Sequence, residues 1–126
     1  MKAFRAAVEA NDPDALVATL AEDVVFTSPA VFKPYVGKPL VGALLRCVMK
    51  VLQDFKYTAQ LEGDGQTVLV FDAKVGDKAV QGIDLGRVDA TDKVTHLTVF
   101  IRPMSGLAAV AEAMQREIAN AGIVRR

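Results

Sequence analysis

From about residue 55 to residue 102, apolar side chains recur at every second position, the period of a half-buried sheet. Phe55, Tyr57, Ala59 and Leu61 alternate with Lys56, Thr58, Gln60 and Glu62. Gly63-Asp64-Gly65 turns the chain into a second alternating segment, Thr67 to Val75. Gly76-Asp77 supplies a tight hairpin turn before Lys78 to Asp89, residues 89–93 turn the chain again, and Val94 to Arg102 form the last predicted strand. Four strands in immediate succession predict an antiparallel meander, which needs a layer to cover its apolar face.

That layer has to come from the flanks. Residues 2–10 read as a short helix with Phe4, Ala7 and Val8 on one side. A second helix opens at Asn11-Asp12-Pro13-Asp14, with Asp12 as N-cap and Pro13 at the first helical position. Val24 to Thr27 read as a short strand closed by Ser28-Pro29, and the chain to Pro39 reads as a loop. Pro39 to Gln53 predict a helix that is apolar almost all round, its wet edge marked by Arg46 and Lys50. Pro103 opens a final helix with Leu107, Val110, Met114 and Ile118 at spacings of three and four. With no repeat and no linker, residues 1–126 are expected to form a single α+β domain.

Composition adds one constraint. Apolar residues make up 52% of the 126-residue chain and mean hydropathy is +0.26, more apolar matter than one small core consumes. An internal cavity, a subunit interface, or both would use the excess. Basic and acidic residues balance at 15 each and are scattered, so no footprint for nucleic acid or an anionic membrane is expected. No apolar run is long enough to span a bilayer, and residues 1–10 lack the apolar stretch of a secretion signal, so a cytoplasmic location is expected. A single cysteine, Cys47, and a single histidine, His96, leave no basis for a disulfide framework, a zinc site or a nucleophilic triad. No cofactor is expected.

One residue breaks the strand pattern. Along 78–89, one face carries Val80, Gly82, Asp84, Gly86 and Val88. Aspartate is disfavoured within strands, and here its neighbours on the same face are both glycine. Two readings stand on spacing alone: missing side chains leave open volume in which a ligand approaches Asp84, or Asp84 faces solvent and the glycines mark a bend.

The run Gly82-Ile83-Asp84-Leu85-Gly86-Arg87-Val88-Asp89, with Lys93-Val94 and Phe100-Ile101-Arg102-Pro103, resembles the C-terminal half of SnoaL-like proteins. Tyr35-Val36-Gly37-Lys38-Pro39 is similar to the segment by which those proteins enter an apolar helix. The wider nuclear-transport-factor-2-like (NTF2-like) superfamily includes ketosteroid isomerases, limonene-epoxide hydrolases, scytalone dehydratases and polyketide cyclases. The resemblance implies a cone: a curved antiparallel sheet wrapped around N-terminal helices, with a C-terminal helix added. It identifies the fold far better than the activity.

It also implies a site. Asp84 falls where ketosteroid isomerases place a protonated aspartic acid that donates to an oxyanion. Their general-base aspartate corresponds here to Ser28 and their helical tyrosine to Phe4, so two of the three isomerase groups are absent. The arginine that epoxide hydrolysis requires would stand at Gly82. What the resemblance implies is a small apolar ligand in a pocket with Asp84 as catalytic or anchoring carboxyl. Tyr57, Leu69, Phe71, Val80, Leu97, Val99, Ile101 and Tyr35 are the expected lining, Tyr35 from a loop over the mouth. Acid–base chemistry of the isomerase, cyclase, lyase or hydrolase kind and a non-catalytic binding or dimerisation module are both open. By parity His96, Thr98 and Phe100 point to the opposite face, where a homodimer is expected.

Overall fold

The computed structural model describes residues 1–124. Two short helices, α1 (Lys2–Glu9) and α2 (Pro13–Ala18), lead into strand β1 (Leu20–Thr27) and a two-residue strand β2 (Tyr35–Val36). Helix α3 (Lys38–Val51) precedes the meander β3 (Gln53–Gly63), β4 (Gln66–Val75), β5 (Lys78–Val88) and β6 (Val94–Arg102), and α4 (Met104–Asn120) follows. Local chemistry accounts for the punctuation. The Asp12 carboxylate accepts the Ala15 backbone N–H at 3.1 Å and caps α2. The Asp89 carboxylate accepts the Thr91 N–H at 2.8 Å and the Lys93 N–H at 3.1 Å, which closes the link from β5 to β6. Gly76, at φ 59°, makes the β4–β5 turn.

The six strands form one curved sheet in the order β2-β1-β6-β5-β4-β3. The meander is antiparallel as expected, but β1 runs parallel to β6, with Phe26 opposite Leu97. The sheet is therefore mixed. A parallel pair requires a long crossover, and everything between β1 and β6 serves as one. The expected loop after Thr27 contains β2, which pairs antiparallel with β1 through Phe26 and Tyr35.

Register sorts the side chains into two faces. On the inner face, Leu69, Asp84 and Val99 lie in one cross-strand row, and Phe71, Gly82 and Ile101 in the next. The helices cover this face, with α3 against β1 and α4 against β4, β5 and β6. The core joins Phe4 of α1, Leu44 of α3 and Val110 of α4 to Leu69, Phe71 and Leu97 of the sheet. On the outer face the corresponding rows are Val70–Ile83–Phe100 and Val68–Leu85–Thr98.

In β3 the simple alternation fails. A bulge lies between Tyr57, opposite Phe71, and Ala59, opposite Val70. One extra residue, Thr58, reverses the facing of all that follows. Ala59 and Leu61, expected to point inward with Tyr57, point outward, and Leu61 is 58% exposed. Gln60 takes the inner position opposite Leu69.

Candidate functional site

Between the sheet and the helices lies a cavity of about 430 Å³, within the usual size range of small-molecule sites. The sheet contributes Phe71, Asp84, Leu97, Val99 and Ile101; α3 contributes Leu44, Leu45 and Val48; α4 contributes Val110, Met114 and Ile118. Residues 28–31 and Tyr35 complete one side. Tyr35 stacks on Phe26 with ring centroids 6.3 Å apart.

Asp84 is 7% exposed and is the one charged side chain, among the described residues, that lines this cavity. Its Oδ2 accepts a hydrogen bond from the Tyr57 hydroxyl at 2.9 Å. Tyr57 is itself buried, set edge-on against Phe55 at 4.9 Å, and Phe55 stacks on Phe71 at 4.7 Å. Burial penalises the carboxylate and raises the pKa of Asp84 to about 7, while the Tyr57 hydrogen bond favours the charged form and offsets only part of that. Burial, followed by the neighbouring Asp84 charge, pushes the Tyr57 phenol far above its ordinary value, so it remains a donor. Near neutral pH, Asp84 is therefore divided between acid and base forms.

Seven of the expected residues meet around this space: Asp84, Tyr57, Phe71, Leu97, Val99, Ile101 and Tyr35. Leu69 and Val80 do not line it. Leu69 is fully enclosed in the core, and Val80 packs beneath Gly106 of α4. Both have the correct inward parity, but α4 seats on Val80 and the core closes over Leu69, and parity does not reveal where the covering layer leaves a gap.

The two glycines beside Asp84 have a different role from the one spacing suggested. The Phe71 ring occupies the space a side chain at Gly82 would need, and Met1 Sδ lies 2.7 Å from where a Cβ at Gly86 would stand. The missing side chains admit a neighbouring ring and a thioether, and the open volume lies above them. Ser28 and Phe4, the positions that depart from the isomerase pattern, both line the cavity. The Ser28 hydroxyl accepts the Val31 N–H at 3.0 Å. His96 is exposed on the outer face, its Nδ1 3.1 Å from the Thr95 hydroxyl. Cys47 is buried and free. Among the described residues no cluster of metal-ligating side chains is present, and no helix is long and apolar enough to cross a membrane.

Sequence reasoning did not pair Tyr57 with Asp84, or find the contributions of Asn11 and Gln115 to the lining. A signal for the pair exists. Tyr57 shares a row with Phe71 and Gly82, and Asp84 lies two residues along from that glycine, within diagonal reach of a tyrosine on the same face.

Comparison with solved structures returns the same architecture. A steroid delta-isomerase from Pseudomonas aeruginosa is 38% identical, with a TM-score of 0.88 over 93% of this chain and 87% of its own. An uncharacterised protein with a cystatin-like fold from Silicibacter pomeroyi DSS-3 is 28% identical, with a TM-score of 0.87 over 94% of this chain and 84% of its own. A hypothetical protein from Catenulispora acidiphila DSM 44928, of ketosteroid isomerase-like fold and in complex with trimethylamine, has a TM-score of 0.65 at 16% identity over 88% of this chain and 90% of its own. No curated protein matches in sequence. The model of the SnoaL-like domain matches residues 1–97. With its mixed six-stranded sheet and helices on one face, the chain is an NTF2-like, ketosteroid isomerase-like α+β cone and belongs to the SnoaL-like domain family.

Proposed function

We propose that the cavity holds a small apolar molecule bearing an oxygen function against Asp84, and that Asp84 exchanges a proton with it in cofactor-independent chemistry of the isomerase, cyclase or lyase type. The observation that carries this reading is a buried carboxyl, hydrogen-bonded by Tyr57 and pushed up to a pKa of about 7, at the wall of a mostly apolar cavity. A group divided between acid and base at working pH is suited to proton transfer, and such perturbed groups cluster at functional sites. The protonated form would donate to a carbonyl oxygen, and the carboxylate would accept a proton from an adjacent carbon. Similarity to the Pseudomonas protein named as a steroid delta-isomerase supports isomerase-type chemistry.

A specific observation favours binding without turnover. Ser28 and Phe4 stand where the family's isomerases carry a base and a tyrosine, and the cavity offers no second carboxylate among the described residues. The test is a panel of β,γ-unsaturated ketones, with conjugation followed by ultraviolet absorbance and binding by calorimetry. Catalysis requires turnover in the wild type that Asp84→Asn abolishes while binding persists. Binding in the wild type without turnover leaves the non-catalytic module. Unchanged binding and unchanged turnover in Asp84→Asn would remove Asp84 from the function altogether.

We propose also that the outer sheet face forms a homodimer. Phe100 is 53% exposed in the row it shares with Val70 and Ile83, an apolar strip that water covers in the monomer. Sedimentation equilibrium should give a dimer for the wild type and a monomer for Phe100→Lys. A wild type that is strictly monomeric at micromolar concentration would sink this assignment.

A further inference from the structure

Arg5 lies on α1, outside the cavity lining, with its guanidinium carbon 5.3 Å from the centroid of the Tyr57 ring. Two side chains hold it there: Nε donates to Glu9 at 3.2 Å and Nη1 donates to the Gln60 side-chain oxygen at 2.8 Å. Gln60 is available only because the Thr58 bulge turns it to the inner face. From the edge, Phe55 completes the enclosure of the Tyr57 ring. The cation, the ring, the phenolic hydroxyl and the Asp84 carboxyl thus form one continuous line from a partly exposed helix face into the cavity.

We infer that Arg5 is a positioning residue, which fixes the Tyr57 ring with its hydroxyl on Asp84 and polarises that hydroxyl as a donor. A cation over an aromatic face withdraws electron density from the ring and so makes the phenolic O–H a stronger donor. A stronger donor stabilises the Asp84 carboxylate, and the acid form is kept from dominating the site. The inference rests on the reading of Asp84 as the proton-exchanging group. The charged groups acting on Tyr57 are Asp84 of β5 and Arg5 and Glu9 of α1. Helices α3 and α4 present no charged side chain to the cavity among the described residues.

The experiment is a carbon-13 NMR titration of the Asp84 carboxyl in the full chain, in wild type, Arg5→Met and Arg5→Lys, each repeated with Tyr57→Phe. Arg5→Met is expected to move the midpoint upward by about half a unit, the size an exposed cation–π contact carries, and Arg5→Lys to restore part of it. With Tyr57→Phe the midpoint rises, and Arg5→Met then adds nothing, because the hydroxyl that transmits the effect is gone. An equal Arg5→Met shift in both backgrounds means the cation acts on Asp84 directly through space and overturns the relay. No shift in either background overturns it as well. An ordinary aspartate midpoint in the wild type, by contrast, would defeat the functional reading of Asp84, whatever Arg5 does.

Discussion

The two faces of the sheet use apolar side chains differently: one bounds a cavity, and the other sets an apolar strip among the outward Asp72, Gln81, Arg87 and His96. The outer rows carry a side chain at every position, Val70–Ile83–Phe100 and Val68–Leu85–Thr98. On the inner face large residues stand beside absent ones: the Phe71 ring against Gly82, the Met1 side chain against Gly86. The inner face also holds a carboxyl that water scarcely reaches, whereas His96, the chain's single histidine, is in solvent outside. Rows without a gap make a surface that a second surface can meet. Mismatched size makes a recess, and desolvation within the recess changes the chemistry of whatever ionises there.

The sharpest way to break this contrast is through pH. Asp84 rises from an ordinary value of 3.8 to about 7 on burial. Between those limits the folded protein binds more protons than the unfolded chain, so stability falls as pH rises across the window. At 1.36 kcal/mol per unit the full effect is about 4 kcal/mol. Asp84→Asn keeps an acceptor for Tyr57 and removes the titration. In urea unfolding it should match the wild type near pH 4 and exceed it by up to about 4 kcal/mol at about pH 8. A constant difference across that range would mean Asp84 is not desolvated. Asp89, lowered chiefly by the Thr91 hydroxyl, and Asp92, lowered chiefly by the terminal ammonium, act in the opposite sense. Their contribution is lost only as pH falls below the ordinary carboxylate range, outside the window of Asp84.

Next in size is the comparison of the two glycines. A methyl at Gly82 meets the Phe71 ring and stands 2.6 Å from the Phe100 backbone carbonyl, which cannot move without disturbing β6. Gly82→Ala should cost about 2–3 kcal/mol in denaturant unfolding. At Gly86 the obstruction is Met1 Cε at 2.6 Å, the far end of a flexible side chain. Gly86→Ala should cost less than about 1 kcal/mol. Equal losses would contradict the account of how the recess is shaped. The smallest expected effect is that of His96→Gln on the outer face: within about 0.5 kcal/mol in stability, with ligand affinity unchanged. A marked loss of affinity would place the chemistry on the wrong face.

Much of this was legible because period and punctuation are local properties. The meander and α2 with its Asp12 cap and Pro13 follow from alternation and turn residues, and the opposite facing of Asp84 and His96 follows once the family resemblance turns Asp84 inward. What was not legible depends on partners distant in sequence. The parallel β1–β6 pair joins Phe26 to Leu97, 71 positions later in the chain, with no local pattern to announce it. The Thr58 bulge inverts Ala59 and Leu61 without altering the residue types, so period two continues in the letters after it has ended in the backbone. Leu69 and Val80 have the right parity, but only the packed structure shows that the core closes over one and Gly106 of α4 over the other. Spacing marks the glycines beside Asp84 as missing volume open to a ligand, whereas what fills that volume is a ring from β4 and a side chain from residue 1.

The Phe71 ring resting on Gly82 has a consequence for how cavities of this kind diversify. The floor of the recess belongs to neither residue alone, since one supplies bulk only where the other supplies none. Depth is therefore a joint property of two positions on adjacent strands. A smaller residue at 71 lengthens the space available to a ligand, but position 82 stays glycine even then, because the Phe100 backbone carbonyl still lies 2.6 Å from where its Cβ would stand. Changes in ligand length should then arrive through position 71, with Gly82 held fixed by the Phe100 carbonyl as the invariant half of the pair.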